Sequence, residues 1–133
     1  MAIQLSTTVR NAMLDAIEAT IGTAAKIQLF TGSQPATCAT ADSGTKLVDA
    51  SLASDWAGNA SAGVKAFTIP SLTAIAVGSV GHFRIKDSSG ATCHYQGSVT
   101  ATGGGGDLTI DNVGLVVGQV TQFTGWSVTQ PGA

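Results

Sequence analysis

The sequence predicts a mainly β fold: a jelly-roll-like antiparallel β-sandwich of about eight strands with one N-terminal α-helix, in a single domain spanning residues 1–133. Three observations support this prediction. One segment near the N-terminus has the 3.6-residue periodicity of an amphipathic helix. After it, short segments of period two recur roughly every 8–12 residues, separated by turn-forming residues. The length is that of one ordinary domain, and no linker or internal repeat divides it.

The predicted helix covers residues 7–21 approximately. Its apolar stripe recurs at intervals of three or four residues: Val9, Met13, Leu14, Ile17 and Ile21. The polar side chains on the other side are expected to face solvent: Arg10, Asn11, Asp15 and Glu18. Ser6 offers a hydroxyl cap, and Gly22 ends the helix because glycine adopts the left-handed C′ conformation without strain. A helix this short is not stable alone, so its stripe packs on its own domain or on a neighbouring subunit.

After Gly22 the periodicity changes from 3.6 to two. The predicted strands are residues 26–31, 46–52, 64–69, 72–77, 80–87, 91–99, 107–111, 115–117 and 119–129. In the last of them Trp126 and Val128 face inward. Gly125 stands where the alternation shifts, which indicates a β-bulge.

The strongest local signal is a hairpin formed by residues 80–87 and 91–99 around Ser88-Ser89-Gly90. A three-residue loop with glycine last suits a type I turn closed by a left-handed residue. The predicted pairs are Ile85–Cys93, Phe83–Tyr95 and Gly81–Gly97 on one face, and Lys86–Thr92, Arg84–His94 and His82–Gln96 on the other. The second face is polar, so both histidines are expected in solvent or at an interface.

The charge content excludes several functional classes. Lys and Arg number 6 and Asp and Glu number 8, so 11% of the residues are charged and the net charge is −2; about 25% is usual. A nucleic-acid-binding protein needs clustered Lys and Arg, and a membrane-spanning helix needs about 20 consecutive apolar residues. The chain has neither feature. Ser and Thr together number 29, so the polarity comes from hydroxyl groups, and we expect no nucleic-acid partner and no membrane.

No arrangement of residues predicts catalysis or cofactor binding. His82 and His94 would be neighbours on the hairpin, but Arg84 lies between them and a metal site needs a third ligand. The run Gly103–Gly106 leads into Asp107 and a strand, whereas a phosphate-binding loop leads into a helix. A mobile hairpin loop is therefore the better interpretation of the glycine run. We expect no enzyme activity, no catalytic residue, no cofactor and no bound metal.

The chain has two cysteines, Cys38 and Cys93. The segment Met1–Leu5 has no basic cluster and leads into no apolar run, so a secretory signal is not expected. In a reducing compartment thiols normally stay free. Free, packed thiols are the preferred interpretation, and a disulfide between the two residues is the alternative.

Five segments carry a resemblance to a known family. They are Val9–Ala16, Ile27–Pro35, Gly44–Leu47, Phe83–Gly90 and the closing strand Val120–Pro131. Through them the chain resembles small tailed-phage virion proteins of the capsid decoration, or cement, type. The resemblance implies a jelly-roll-like sandwich with a non-enzymatic role. Copies would bind the outside of an assembled shell, as trimers at its local three-fold positions, and brace it.

Partners and location follow from the same resemblance. The implied partners are the major capsid protein and further copies of this chain, in a homotrimer. The implied location is the outer surface of the virion capsid, after synthesis in the host cytoplasm. A phage tail or baseplate structural protein is the alternative, followed by a carbohydrate-binding module. The latter would need an exposed aromatic platform, and the chain has only Trp 2, Tyr 1 and Phe 4.

Three residues are candidates for an interface with a partner. Ile3 and Leu5 are apolar residues of the arm Met1–Leu5, which precedes the helix and would lie on a neighbouring subunit. Trp56 stands among small residues in a predicted loop. It either closes one end of the sandwich or anchors an interface, where tryptophan is enriched.

Overall fold

The structure is a computed structural model that describes residues 3–132. It has one helix, α1 (Thr7–Ile21), and ten strands: β1 (Lys26–Thr31), β2 (Lys46–Ser51), β3 (Val64–Ala66), β4 (Leu72–Thr73), β5 (Gly78–Lys86), β6 (Cys93–Ala101), β7 (Leu108–Ile110), β8 (Gly114–Leu115), β9 (Val120–Thr121) and β10 (Phe123–Thr129). The Ser6 hydroxyl accepts a hydrogen bond from the Val9 N–H at the start of α1. The mainly β fold with one N-terminal helix is confirmed.

Most strands belong to one large sheet. Its order is β2-β1-β5-β6-β7-β10-β3, with β8 paired to β5, while β4 and β9 form a separate two-stranded sheet. The described pairings are antiparallel except for β6 and β7, which run parallel. The arrangement is consistent with the predicted β-sandwich.

Aromatic contacts show that the large sheet curls over on itself. Two strands separate β5 from β10 in the sheet order, yet the rings of Phe83 on β5 and Trp126 on β10 lie 5.2 Å apart. Trp126 also stacks on Phe67 at 3.9 Å between ring centroids. Large buried rings of this kind contribute much of the apolar area of a core. The strands β5 and β10 therefore contribute to one shared core.

The last predicted strand is divided in two. β9 pairs with β4, whereas β10 pairs with β7 and β3, so the chain changes partners at Gln122. The predicted bulge is confirmed, because Phe123 pairs with Ile110 and Gly125 with Thr109, which leaves Thr124 without an opposite residue. The alternation of residues along the strand predicts the position of the bulge, but it does not predict that the chain changes its partner strand.

The hairpin is present, but its predicted register is wrong by two residues. Lys86 pairs with Cys93 instead of Thr92, which shifts the register by one residue, and a bulge at His94 adds a second residue, so that Ile85 pairs with Tyr95 and Phe83 with Gly97. A shift of two leaves most side chains on their predicted faces, whereas a shift of one would exchange the faces. Cys93, which precedes the bulge, is the exception and lies beside the polar side chains of β5.

The glycine run is not the hairpin loop that the sequence predicts. The chain turns back after β6, so that Leu108 on β7 pairs in parallel with Val99. The Gly106 N–H donates to the Thr100 hydroxyl at 2.9 Å, and the Asp107 carboxylate accepts from the Ser98 N–H at 2.9 Å. These bonds fix the return segment against β6.

The orientation of α1 also differs from the prediction. Arg10 and Leu14 are buried, whereas Val9 is 46% and Met13 is 47% exposed. The polar side of the helix faces β3 instead of solvent, since β3 and the turn before it supply polar partners. For example, Asn11 accepts a hydrogen bond from the Gly63 N–H at 2.9 Å. The predicted stripe is therefore turned partly outward.

Candidate functional site

Branched aliphatic side chains are exposed together at the β4–β9 end of the molecule. Their exposed fractions are Ile75 54%, Val77 68%, Val116 57%, Val117 70% and Val120 52%. We call these five residues the apolar patch. Isolated exposed aliphatic residues are common on protein surfaces, whereas a contiguous group of this kind marks an interaction site.

Two chain segments running side by side place these residues next to each other. Thr73 pairs with Val120 at one end of the two segments, and Gly78 pairs with Leu115 at the other. Between these pairs, the Ala74 carbonyl oxygen accepts from the Gly118 N–H at 2.8 Å. Backbone hydrogen bonds therefore link the two segments that carry the apolar patch at both ends and between them.

The patch is also fixed to the rest of the molecule. The Ile75 N–H donates to the Leu47 carbonyl oxygen on β2 at 2.8 Å. The turn that carries Val116 is closed by the Gln119 N–H, which donates to the Val116 carbonyl oxygen at 3.0 Å, and by the Gln119 side chain, which accepts from the Val116 N–H at 3.2 Å. A surface held in this way loses little backbone entropy on binding.

No charged residue lies within the segments that form the patch. Asp, Glu, Lys and Arg are absent from residues 66–83 and 112–132. The segments that carry the patch therefore contribute no charge that would have to be desolvated. Full burial of a valine or isoleucine side chain contributes about 1.5–3 kcal/mol. The arrangement suits binding to an apolar protein surface.

The polar face of the hairpin is buried, contrary to the prediction. The segment 32–45 covers it, and the Asp42 carboxylate accepts from Arg84 and from Lys86, each at 2.6 Å. Burial acts to raise the pKa of Asp42, but the hydrogen bonds from Lys86 and Arg84 outweigh it and lower the pKa. This ionic cluster fastens the segment to β5, which is a structural role.

The two histidines occupy different environments. His82 is fully buried, its Nδ1 lies 2.8 Å from the Gly32 carbonyl oxygen, and its ring stacks on Phe30 at 5.2 Å. The predicted solvent or interface position is therefore wrong for His82, because the segment 32–45 covers its face of the hairpin. His94 is exposed in the bulge. Within residues 3–132, no group of three or more His, Cys, Asp or Glu is placed to hold a metal ion.

A second ionic cluster joins α1 to β3. The Lys65 ammonium is 1% exposed and donates to Asp15 at 2.9 Å and to the Gly58 carbonyl oxygen at 2.8 Å, with Glu18 at 3.6 Å. The hydrogen bond from Lys65 lowers the pKa of Asp15. A cavity of about 350 Å³ adjoins this cluster. Its charged groups are already paired with one another, so the cluster accounts for the docking of the helix.

The three candidate interface residues differ in how far they are exposed to solvent. Ile3 is 78% exposed. Leu5 is half-buried, and its N–H donates to the Gly132 carbonyl oxygen at 2.6 Å. Trp56 is fully buried, stacks on Phe67 and donates from Nε1 to the Gly22 carbonyl oxygen at 3.1 Å. The Trp56 side chain has no exposed surface with which to contact a partner, so the interpretation of Trp56 as an interface anchor is wrong. The residue belongs to the core. Met1 and Ala2 of the arm lie outside the described residues.

The apolar patch was not identified from the sequence. One signal for it exists, namely the adjacent valines Val116 and Val117 immediately before Gly118. Two neighbouring β-branched residues at a turn cannot both point into a core. The partner segment 72–77 has a weak pattern, and only its pairing with the chain near Val120 shows that Ile75 and Val77 complete the surface.

Comparison with known proteins adds no family to this description. No family model matches the chain, and neither the curated proteins nor the solved structures gave a match. In the part of the chain that the structure describes, no helix has the length and apolar character needed to cross a membrane.

Proposed function

We propose that this protein is a non-enzymatic structural protein of a tailed-phage virion, a capsid decoration protein that binds the assembled head and stabilises it through subunit interfaces. The observation that carries the proposal is the apolar patch, which is fixed by backbone hydrogen bonds and is exposed in the isolated subunit. Its partners are the major capsid protein and further copies of this chain. The resemblance of the helix, hairpin and closing strand to such proteins supports the same proposal.

The composition of the remaining surface agrees with repeated, broad contacts. Short hydroxyl, alanine and glycine side chains lose little rotamer entropy when another subunit covers them. On a lattice, each copy can make several weak contacts at once, and their combined strength far exceeds that of one contact. A small charge-poor domain therefore suits a shell-bracing role better than it suits binding a single soluble partner.

The N-terminal arm is the second proposed contact. Ile3 projects an almost fully exposed aliphatic side chain, while the Leu5 backbone is held against Gly132. In a trimer, the arm would lay Ile3 on the neighbouring copy. Deletion of residues 1–5 should then weaken assembly without unfolding the domain, and Ile3→Ser should give a smaller change in the same direction.

A co-sedimentation experiment tests the proposal directly. Phage heads assembled without this protein are mixed with the purified chain, with the double variant Val77→Ser/Val117→Ser, or with the control Val9→Ser/Val64→Ser. The control also removes two exposed valines, of 46% and 38% exposure, but outside the patch. We expect the patch variant to bind at least roughly tenfold more weakly than the wild type, which corresponds to about 1.4 kcal/mol, and the control to bind normally.

Two results would contradict this proposal. Equal binding by the patch variant and the control would remove the patch as the contact surface. A strictly monomeric mass at high concentration, together with no binding to heads, would exclude the decoration role altogether. Immunogold labelling of complete virions gives the location, and label confined to tails would favour the tail or baseplate alternative. The carbohydrate-binding alternative lacks support, since the exposed residues of the described chain include none of its aromatic side chains.

A further inference from the structure

The fold brings the two cysteines to one small cavity. Cys38 belongs to the covering segment 32–45 and Cys93 is the first residue of β6, yet both line a cavity of about 170 Å³ together with Asp42, Arg84 and Lys86. Arg84 connects them: its Nε donates to the Cys93 sulfur at 3.2 Å, and its Nη2 donates to the Cys38 carbonyl oxygen at 2.8 Å. One buried guanidinium therefore positions both residues.

The two thiols differ in their surroundings. The Cys93 sulfur lies 3.2 Å from the Arg84 Nε and 3.5 Å from the Tyr95 carbonyl oxygen, whereas Cys38 meets the same guanidinium only through its carbonyl oxygen. Burial, followed by the interaction with the neighbouring Cys93 sulfur, raises the pKa of the Cys38 thiol to about 11. Both residues are half-buried, so a small solute reaches the cavity. The pair has the arrangement of an attacking thiol and a second thiol that resolves the product.

We propose that Cys38 and Cys93 form a redox-active pair that closes to an intramolecular disulfide when the protein meets a peroxide. This proposal rests on the shared cavity and on the two bonds of Arg84, and it does not depend on the proposed function. Both cysteines are free thiols in the structure, which describes the reduced state of the pair.

The reaction balances with hydrogen peroxide as the oxidant. The Cys93 sulfur attacks one peroxide oxygen, the O–O bond breaks, and the thiol proton leaves with the departing hydroxyl group as water, which gives a Cys93 sulfenic acid. The Cys38 sulfur then attacks the Cys93 sulfur, its proton leaves with the hydroxyl group as a second water, and the S–S bond forms. Two thiols lose two electrons in total, and one peroxide accepts them.

The disulfide would lock the covering segment to the hairpin. Reduced, the segment is held to β5 by the ion pairs of Asp42 with Arg84 and Lys86. A covalent link across so long a stretch of chain restricts the unfolded state, and disulfides of this kind raise the melting temperature by roughly 10 °C in a domain of this size. Oxidation would therefore add a covalent attachment, reversible only by reduction, to one that depends on ion pairs.

The test oxidises the full chain with hydrogen peroxide and follows it by intact-mass spectrometry after alkylation with N-ethylmaleimide. We expect the wild type to lose the mass of two hydrogen atoms and both alkylation sites, to remain a monomer in non-reducing electrophoresis, and to recover both sites with a phosphine reductant. Closure should be roughly tenfold faster in the folded chain than in urea, where the thiols are far apart on average. Equal rates, or retention of both alkylation sites, would overturn the proposal.

Single variants separate the two roles. Cys38→Ser leaves Cys93 without its resolving thiol, so peroxide should give a sulfenic acid that dimedone traps. Cys93→Ser should leave Cys38 much less reactive. Oxidation should raise the melting temperature of the wild type only, and the double variant Cys38→Ser/Cys93→Ser is the matched control. If a variant does not fold, peptide mapping of the oxidised wild type still decides the matter, since a product other than the Cys38–Cys93 disulfide contradicts the pairing.

Discussion

Four of the six basic side chains of this protein are buried. Arg10 is 9% exposed, Lys65 1%, Arg84 1% and Lys86 5%. A buried cation is tolerated only where carboxylates or carbonyl oxygens replace its water, and here Asp42 serves two of the four. The few charged side chains thus serve mainly to hold internal segments together. Substitutions of their partners should therefore lower the stability of the whole domain.

The first prediction at this scale concerns acid stability. The folded-state pKa of Asp42 is lowered below its ordinary value of 3.8 by Lys86 and Arg84, despite burial. A lowered pKa means that the unfolded chain takes up the proton first as pH falls. The stabilisation by Asp42 is therefore complete above about pH 4 and is lost as pH falls through the lowered pKa. Urea unfolding from neutral pH to about pH 2 should show a smaller acid-induced loss for Asp42→Asn than for the wild type.

The second prediction concerns Trp56, which the structure assigns to the core. Trp56→Ala should lower the free energy of unfolding by about 4 kcal/mol, because it removes a fully buried ring. Trp56→Phe should cost less, since it keeps the stacking on Phe67 and loses the hydrogen bond to Gly22. Chemical denaturation measures both. A Trp56→Ala variant as stable as the wild type, with weakened self-association, would restore the interface interpretation.

At the scale of elements, the sequence predicts the existence of α1 with close bounds, but not which side of it is buried. The periodicity of apolar residues defines a stripe, and it carries no information on the polar partners that β3 offers. Lys65 and the Gly63 N–H lie far along the chain from α1 and draw its polar side inward. Tertiary polar contacts, which a local pattern does not contain, set the rotation of the helix.

This orientation gives a paired prediction. Leu14 is 2% exposed, so Leu14→Ala should lower the free energy of unfolding by about 3 kcal/mol. Met13, one residue earlier in the same predicted stripe, is 47% exposed, so Met13→Ala should cost less than about 1 kcal/mol. Denaturant titrations of both variants provide the measurement, and similar losses for the two would contradict the observed rotation.

The hairpin shows the same limit for strands. Its turn was predictable because Gly90 adopts the left-handed conformation, with φ of 74°, that the three-residue loop requires. The bulge at His94 has no such local signature, and it accounts for one of the two residues by which the register differs. The burial of Arg84 depends on the segment 32–45, which the pattern of the hairpin does not contain. The conformation of a turn depends on neighbouring residues, whereas the burial of a strand face depends on segments that are distant in the sequence.

At the scale of the whole molecule, the surface formed by residues 3–132 carries almost no unpaired positive charge. The two remaining cations, Lys26 and Lys46, both pair with Asp49, at 3.7 and 3.1 Å. The candidate site could not be predicted from the sequence, because Ile75 and Val117 become neighbours only when distant segments pair. The number of charged residues follows directly from the sequence, whereas their burial and pairing are visible only in the structure.

This distribution predicts a weak dependence of assembly on salt. An association through the uncharged apolar patch should change its dissociation constant by less than about twofold between roughly 0.05 and 1 M NaCl, because screening acts only on charges. Analytical ultracentrifugation over this range measures the effect. A large loss of association at high salt would show that ion pairs, and not the patch, hold the copies together.

The bond between Leu5 and Gly132 has a consequence for the covalent order of the chain. It places the two ends of the described chain side by side. A short peptide could join these ends, and a new pair of ends could be opened at the exposed glycines 103–105, since domains with adjacent ends tolerate such permutation. Cargo fused beside Leu5 or beside Gly132 would leave the molecule from one region of its surface, whereas cargo on the permuted ends would leave next to the end of β6. The same fold can thus present attached peptides in two directions.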